Sequence, residues 1–271
     1  MVIDKLQRAK RAICSLLVAS FFMLRTGLAA PAATVHTFFD SESNATDATR
    51  ILFIGNSFTY ANQLPLVLGT MVFTHNMDAK LKITEVSGGG MTLEQHWREG
   101  DAARAISANP PWTYVVLQEQ SLRPIVNSDK MFQYVQGFAG LIRGARSRTV
   151  LFLTWADSQK PDDQDHLTQS YRQAASQTGA ILVPVGEAFR AARNEIPGIQ
   201  LFSDGHHPSQ TGTYLAACVF YAKLFGLNPE ALPAKLAVND EDSNKAYLLA
   251  SIDANQAKLL QRIAWRVARQ Y

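Results

Sequence analysis

The alternation of strand and helix signals along residues 50–270 constrains the fold more than any other feature of this sequence. Five short apolar runs recur, and stretches of helical length separate them. The predicted strands are residues 50–54, 82–86, 114–118, 149–155 and 180–185. The longer predicted helices are residues 63–75, 130–143, 165–178, 210–225 and 252–270, and a short helix begins at Thr92. Strands joined by helical crossovers lie parallel in one sheet with helices on both faces, so the sequence predicts a three-layer α/β domain.

The first 32 residues have the layout of a secretory signal peptide. Basic residues within positions 5–11 precede an apolar run of 13 residues, 12–24, and small residues follow. The run is shorter than the roughly 20 residues that span a membrane, and Arg25 ends it. We therefore predict a secreted or periplasmic protein with no stable membrane span after cleavage; a retained N-terminal anchor is the alternative.

The predicted mature chain divides into a lead and one domain. Residues 33–49 end in a polar, turn-rich stretch and are predicted to form a flexible lead. Residues 50–271 are predicted to form a single domain, because one repeating strand and helix pattern covers them.

Charge and cysteine content exclude two kinds of site. Residues 1–32 hold five of the 26 Lys and Arg and one of the 23 Asp and Glu, so the remainder carries 21 basic and 22 acidic residues. A nearly neutral domain lacks the electrostatic footprint of a nucleic-acid binder. Loss of residues 1–32 removes Cys14 and leaves Cys218 alone, which excludes an intramolecular disulfide and a metal site built on several thiolates.

Ser57 is the first candidate functional residue. In parallel sheets, sites lie beyond the carboxyl ends of the strands, and Ser57 follows the first predicted strand in the GNSFT loop, residues 55–59. On a strand-to-helix turn its hydroxyl is exposed and its backbone N–H lies near a helix N-terminus. Both features suit a nucleophile whose attack creates an oxyanion. A serine that only caps the helix is the alternative.

Asp204 and His207 form the second candidate pair. They lie three residues apart in SDGHHPS, residues 203–209. At this spacing the carboxylate can accept the imidazole Nδ1–H and leave Nε2 to take a proton from a serine hydroxyl. A hydrogen-bonded turn or a two-histidine metal site with Asp204 is the alternative. Adjacent histidines usually diverge and no further ligand cluster is evident, so no metal is predicted, and His206 is a bystander or a substrate contact.

In order and spacing, these loops resemble the conserved blocks of the GDSL/SGNH esterase superfamily. IGNSF resembles the block with the nucleophile, at Ser57, and VSGGGMT resembles the block with an oxyanion-hole glycine, at Gly88. The final D-x-x-H block is matched by Asp204 and His207, and the resemblance spans most of the predicted domain. It implies a flavodoxin-like αβα sandwich with a five-stranded parallel sheet, and a serine hydrolase of ester bonds that needs no cofactor.

One block departs from the family pattern. After the third strand the family usually carries G-x-N-D, whose asparagine donates to the oxyanion, whereas residues 117–121 here are LQEQS. A glutamine amide can supply the same N–H donor from a longer arm. Gln118 and Gln120 are therefore both candidates for the oxyanion hole, beside the N–H groups of Ser57 and Gly88. The alternative is that both glutamines only brace the loop.

Aromatic residues near these loops bear on the substrate. Tyr60, Trp97 and Trp155 offer faces that suit sugar rings, with a place in the core as the alternative. Together with secretion they favour a short-chain acyl ester, an O-acetyl group, on a carbohydrate, either a small molecule or a polysaccharide. An acyltransferase with the same triad and a catalytically silent carbohydrate-binding protein are the alternative functions.

Overall fold

The computed structural model describes residues 33–41, 44–240 and 245–271, so the predicted signal peptide lies outside the described residues. The strands are β1 (Thr34–Ser41), β2 (Thr49–Gly55), β3 (Leu81–Ser87), β4 (Tyr114–Leu117), β5 (Arg148–Phe152), β6 (Ile181–Val183), β7 (Lys235–Asp240) and β8 (Lys245–Ser251). The α-helices are α1 (Ser57–Tyr60), α2 (Leu64–His75), α3 (Leu93–Glu99), α4 (Asp101–Ile106), α5 (Arg123–Val126), α6 (Ser128–Gly144), α7 (Asp163–Thr178), α8 (Val185–Glu195), α9 (Gln210–Phe225) and α10 (Ala254–Gln270).

A central sheet in the order β1-β3-β2-β4-β5-β6 organises the fold, and its last five strands run parallel. Along β2, Ile51 and Phe53 enter the core on one face of the sheet, and Leu52 and Ile54 enter the core on the other. Strands covered by helices on both faces need apolar residues at every position, which explains the uninterrupted apolar runs. The predicted three-layer α/β fold is confirmed.

The sheet has six strands rather than the five predicted. The added strand, β1, pairs antiparallel with β3 at the sheet edge, within the segment predicted to be a flexible lead. That prediction is wrong for Thr34–Ser41. Phe39 is buried against Phe73, with ring centroids 5.2 Å apart, and lies over Gly69, where a side chain would collide with its ring. Burial of this large ring stabilises an extended segment that has no local partner.

Helices cover both faces of the sheet. The core on one face includes residues of α2, α8, α9 and α10, and the core on the other includes residues of α3, α4, α6 and α7. Neither α8 nor the antiparallel hairpin of β7 and β8 is among the predicted elements; the hairpin adds Leu236 and Ala250 to the first core. Within the ranges that the structure describes, no helix is long and apolar enough to cross a membrane.

Four loops meet at the carboxyl end of the sheet. The central strand β2 lies between β3 and β4, so the loops that follow these three strands are neighbours. The fourth loop, between α8 and α9, folds back on itself, because the N–H of Ser203 donates to the carbonyl of His207 at 2.9 Å and Phe202 pairs with Pro208. These are the loops that carry the residues singled out in the sequence.

Candidate active site

Ser57, His207 and Asp204 lie in one hydrogen-bonded row. The Ser57 Oγ lies 3.0 Å from the His207 Nε2, although the two residues are 150 positions apart in the chain. On the other side of the ring, Nδ1 lies 2.7 Å from the Asp204 Oδ2. A carboxylate at Nδ1 holds the imidazole in the tautomer that leaves Nε2 ready to accept a proton. The arrangement can therefore generate a serine alkoxide at the moment of attack.

The turn around Asn56 fixes the position of Ser57. Asn56 caps α1: its Oδ1 accepts the N–H of Phe58 at 3.1 Å, and its Nδ2 donates to the carbonyl of Met91 at 2.9 Å. The carbonyl of Asn56 accepts the N–H of Thr59. Ser57 is the first residue of α1, so its own N–H has no acceptor within the helix. This N–H is therefore available to a negative charge that forms beside the hydroxyl.

A glycine and a buried histidine support this turn from below. A Cβ on Gly55 would lie within 2.6 Å of the Thr59 Oγ1 and the Gln118 Oε1, so only glycine fits between them. The Nε2 of His96 donates to the carbonyl of Gly55 at 2.8 Å. Burial lowers the pKa of His96, and the carbonyl acceptor calls for the ring proton on Nε2. His96 had no role assigned from the sequence, and the LEQHW stretch gives no signal of this contact.

The loop of Asp204 is held by its own carboxylate. The Oδ1 accepts the backbone N–H groups of His206 at 2.9 Å and His207 at 2.6 Å, while Oδ2 faces the His207 ring. The hydrogen bond from the His207 ring, together with these two N–H donors, lowers the pKa of Asp204 well below its usual value. Gly205, between Asp204 and His206, has a φ of +85°, in the left-handed region that favours glycine.

An aromatic column lies under the two histidines. Phe58 contacts His207 edge-on, with centroids 5.9 Å apart, and stacks on Trp155 at 4.6 Å. Trp155 stacks in turn on Phe189 at 4.2 Å, and its Nε1 donates to the carbonyl of His206 at 3.0 Å. Trp155 is only 2% exposed. It therefore supports the His207 loop from within the core and does not line a substrate pocket.

The other two aromatic candidates differ in position. Tyr60, at the end of α1, is 41% exposed, and a Cβ on Gly89 would lie 3.5 Å from its hydroxyl. Its ring is thus accessible beside the nucleophile turn. Trp97 packs edge-on against Phe138 of α6, with centroids 5.2 Å apart. That contact places Trp97 in the helical layer over the sheet.

Gln118 braces the GNSFT loop, residues 55–59, and its amide is not placed to donate to an oxyanion. Its Oε1 accepts the N–H of Asn56 at 2.8 Å and the hydroxyl of Thr59 at 3.0 Å. Its Nε2 donates to the carbonyl of Glu119 at 2.6 Å, and the side chain is fully buried. The structure therefore removes Gln118 from the two candidate glutamines.

Gln120 lies two residues further along the same loop and is partly exposed. Its Oε1 accepts the N–H groups of Leu122 and Arg123, at 3.0 and 3.1 Å, and so holds the start of α5. Its Nε2 donates to the Ser121 Oγ at 3.2 Å, which uses one of the two amide protons. Ser121 Oγ lies 3.4 Å from the Nε2 of His206. The amide of Gln120 is thus linked through Ser121 to His206, and these contacts use only one of its two protons.

The glycine turn beyond β3 carries Gly88, the residue predicted to donate to the oxyanion. The N–H of Gly88 is directed to the carbonyl of Gly55 at 3.4 Å, which extends the ladder between β3 and β2. Met91 N–H donates to the Gly88 carbonyl and closes the turn. Among the hydrogen bonds of the described residues, none uses the N–H of Gly89 or Gly90. The oxyanion role of Gly88 stays a prediction, and the N–H groups of Gly89 and Gly90 lie beside it in the turn 88–90.

Asn62 joins the nucleophile segment to the histidine loop. Its Nδ2 donates to the carbonyl of Pro208 at 2.8 Å and to the Thr213 Oγ1 at 3.1 Å. Asn62 has a φ of +51°, a conformation that asparagine tolerates better than most residues. No sequence pattern selects this residue, because its partners are brought close only by the folded chain.

The ring nitrogens of His206 lie near Ser121 and Asp157. Its Nε2 is the atom near Ser121, and its Nδ1 lies 3.5 Å from the carboxylate of Asp157. Across the three described segments, no group of three or more His, Cys, Asp or Glu side chains is placed to hold a metal ion. The side chain of His206 is 36% exposed, so both alternatives for this residue stay open.

Comparisons with known proteins place these features in context. No family model matches the sequence, and no curated protein matches it. Among solved structures, a protein classed as an SGNH hydrolase from Slackia heliotrinireducens is 30% identical, with a TM-score of 0.54, over 63% of this chain and 95% of that chain. The acetylxylan esterase Axe2 from Geobacillus stearothermophilus is 15% identical, with a TM-score of 0.53, over 65% of this chain and 95% of that one.

A third structure has the same fold. It is a member of the lipolytic G-D-S-L family from Veillonella parvula, 14% identical with a TM-score of 0.54, and the match covers 66% of this chain and all of that chain. At this identity the likeness concerns the fold alone, whereas the Slackia protein also shares sequence over nearly its whole length.

Proposed function

Since the chain belongs to the SGNH hydrolases, a family of ester hydrolases, we propose that it is a secreted serine esterase with the triad Ser57, His207 and Asp204. The observation that carries the proposal is the unbroken row of contacts, 3.0 Å from the Ser57 Oγ to the His207 Nε2 and 2.7 Å from Nδ1 to Asp204. Nucleophile, base and orienting carboxylate are each within the reach that proton transfer requires.

Acylation begins when the Ser57 Oγ attacks the carbonyl carbon of the ester. His207 Nε2 takes the hydroxyl proton, and the imidazolium that forms is stabilised by Asp204, whose low pKa keeps it ionised. The carbonyl oxygen becomes an oxyanion, which accepts hydrogen bonds from the Ser57 N–H, the turn 88–90 and the Gln120 amide. Each such donor contributes about 3 kcal/mol to lowering the barrier.

The tetrahedral intermediate then collapses. His207 gives its proton to the leaving alcohol oxygen, and the acyl group stays on the Ser57 Oγ as an ester. Water attacks this acyl-enzyme, His207 takes a proton from the water, and a second collapse releases the carboxylic acid and restores the serine hydroxyl. The residues of this chain supply every acid, base and donor in the cycle.

The exposure of the site supports a carbohydrate ester as the substrate. The side chains of His207 and Asp204 are 37% and 55% exposed, so the triad lies at the surface, where the alcohol part of a substrate can be large. The accessible ring of Tyr60 beside the nucleophile turn suits the face of a sugar. The signal-peptide layout of residues 1–32 favours secretion, which would bring the enzyme to polysaccharides. An O-acetylated carbohydrate fits all three features.

The unbroken row of contacts from Ser57 to Asp204 favours an enzyme over a silent binding protein, because binding alone needs no base beside a serine hydroxyl. The test is labelling by a fluorophosphonate probe and hydrolysis of p-nitrophenyl acetate by the wild type, Ser57→Ala and His207→Ala. Ser107→Ala is the matched control, since Ser107 is an exposed serine at the end of α4. We expect labelling and turnover in the wild type and Ser107→Ala only.

Equal rates in Ser57→Ala and the wild type would overturn the esterase. The substrate class is tested separately, by acetate release from acetylated xylooligosaccharides and by a chain-length series of p-nitrophenyl esters. An acetyl ester should be preferred over longer acyl chains. Preference for a long chain would contradict the carbohydrate O-acetyl ester while leaving the triad in place.

A further inference from the structure

Glu119 has a contact pattern that the triad mechanism does not use. It follows β4 directly and is 1% exposed. Its Oε1 accepts two backbone N–H groups, that of Gln120 at 2.7 Å and that of Leu93 at 3.1 Å. Leu93 is the first residue of α3 and lies three residues after Gly90, the last residue of the glycine turn beyond β3. One carboxyl oxygen thus joins two loops that are 26 residues apart in the chain.

The contact between Glu119 and Leu93 joins loops on the two sides of the central strand β2. In the sheet order, β3 and β4 lie on opposite sides of β2, whose carboxyl end leads into Ser57. The link from Glu119 to Leu93 therefore crosses over the end of the central strand. On one side it holds the segment that continues from the turn 88–90, and on the other it holds the backbone of Gln120. These two segments are the flanks of the proposed oxyanion hole.

Glu119 is the fully buried tie between these two segments, and the ion pair of Arg123 with Glu94, at 3.1 Å, is a second, partly exposed one. The capping box of Thr92 and Gln95 fixes the start of α3 internally, with bonds of 2.9 and 3.2 Å, but does not reach the β4 loop. The backbone N–H of Glu119 is itself anchored, because it donates to the hydroxyl of the buried Tyr171 at 3.3 Å. The backbone that carries the Glu119 carboxyl group is therefore fixed as well.

We propose that Glu119 is a positioning residue of the esterase, which sets the distance between the glycine turn and the Gln120 amide across the nucleophile. The inference rests on the proposed function, since it concerns the same oxyanion hole. Donors stabilise an oxyanion only when they are fixed at hydrogen-bond distance before the charge forms. Loss of the tie would leave the triad intact and allow the two flanks to separate.

Two substitutions separate the tie from simple stability. In Glu119→Gln, the amide oxygen can accept both N–H groups, whereas in Glu119→Met the side chain keeps a similar size without a strong acceptor. For p-nitrophenyl acetate, we expect Glu119→Gln to stay within about threefold of the wild-type kcat. Glu119→Met should lose about 10- to 100-fold in kcat with KM changed by less than about twofold, because a displaced donor acts on the transition state.

Gln261→Met provides a matched control. Gln261 is a buried side chain of α10 that donates two hydrogen bonds, to the Tyr214 hydroxyl at 2.7 Å and to the carbonyl of Leu232 at 2.8 Å. Its loss should lower the Tm as Glu119→Met does and leave kcat unchanged. Amide exchange of Leu93 and Gln120 is followed in parallel; both should lose protection in Glu119→Met and retain it in Glu119→Gln.

Three results bear against the inference in different ways. A kcat of Glu119→Met equal to that of the wild type or Gln261→Met would overturn it, and so would an equal loss in Glu119→Gln and Glu119→Met. Retained protection of both amides in Glu119→Met would show that the tie does not hold the loops. Hydrolysis that persists in Ser57→Ala would instead overturn the proposed function, and the exchange measurement would still decide whether Glu119 joins the two flanks.

Discussion

The side-chain amide of Asn62 lies 2.8 Å from the carbonyl of Pro208, 146 residues further along the chain. Asn62 follows the helix that begins with Ser57, and Pro208 follows His207 directly. This bond therefore helps to hold together the two segments that carry Ser57 and His207.

Replacement of Asn62 should lower both activity and stability. Asn62→Gly keeps the positive φ and removes the amide, so we expect the free energy of unfolding to fall by about 1–3 kcal/mol. Asn62→Ala adds backbone strain of about 1 kcal/mol at that φ. In both variants kcat should fall about tenfold or more as the base moves away from Ser57. Urea denaturation and p-nitrophenyl acetate turnover check this, and an unchanged kcat in Asn62→Gly would contradict it.

Replacement of Asp204 should lower activity at neutral pH and change how stability depends on pH in the acidic range. Asp204→Asn removes the carboxylate that holds the His207 tautomer, so kcat should fall by about 10²- to 10⁴-fold at neutral pH. The pKa of Asp204 is lowered in the folded state, mainly by the hydrogen bond from His207. Its contribution to stability is therefore present above the unfolded pKa of about 3.9 and is lost as the pH falls below it.

Urea denaturation of wild type and Asp204→Asn between pH 3 and 7 measures this contribution. The difference in unfolding free energy between the two proteins should be largest near neutral pH and should shrink on acidification. A difference that stays constant down to about pH 3 would mean that Asp204 is not favoured as a carboxylate in the folded state.

The two glutamines should respond differently to substitution. Gln120→Glu keeps an oxygen to accept the N–H groups of Leu122 and Arg123 but removes the amide donor, so kcat should fall by about 10²- to 10³-fold with the Tm nearly unchanged. Gln118→Leu leaves the N–H of Asn56 without its acceptor and should lower the free energy of unfolding by about 1–3 kcal/mol. Full activity in Gln120→Glu would exclude Gln120 from the oxyanion hole.

Glu85 should make the protein less stable as the pH rises. Burial raises the pKa of Glu85 to about 7, even though the Ser87 hydroxyl donates to its carboxylate. The folded state therefore binds more protons than the unfolded state between about pH 4.5 and 7, and the stability from this group is lost as the pH rises through 7. The unfolding free energy of Glu85→Gln should vary less than that of the wild type between pH 5 and 8.

A surface carboxylate serves as the control for this measurement. Glu195→Gln changes an exposed side chain of α8 and should leave the pH dependence of the wild type intact. If Glu85→Gln and Glu195→Gln gave the same dependence as the wild type, Glu85 would not titrate with a raised pKa in the folded protein.

The sequence was sufficient for the parts of the molecule that depend on short segments. The runs around Ile54 and Leu117 predict buried parallel strands, and the rule that sites lie at their carboxyl ends brings Ser57, Asp204 and His207 to one edge. The structure places these three side chains in contact. The strand β1 was not predicted, because its only partner in the sheet lies 40 or more residues later and pairing across such a distance leaves no local pattern.

The choice between Gln118 and Gln120 depends on the folded structure for a related reason. Both lie in a loop directly after a strand, and which of the two faces the solvent depends on how the backbone leaves the sheet. Gln118 turns inward because Asn56 and Thr59 present donors to it, and neither donor is visible as a partner in the sequence. Asn62 and Glu119 were missed for the same reason, since each joins loops that come together only in the folded chain.

The fluorescence of the Trp155 indole should report movements of the loop that carries His207. The indole is stacked between Phe58 and Phe189 and hydrogen-bonded to the backbone of His206, so its emission should change when that loop shifts. An acyl group on Ser57 or an occupied alcohol site would then be recorded as a change in intrinsic fluorescence. The protein thereby carries its own optical reporter for following single turnovers without a dye.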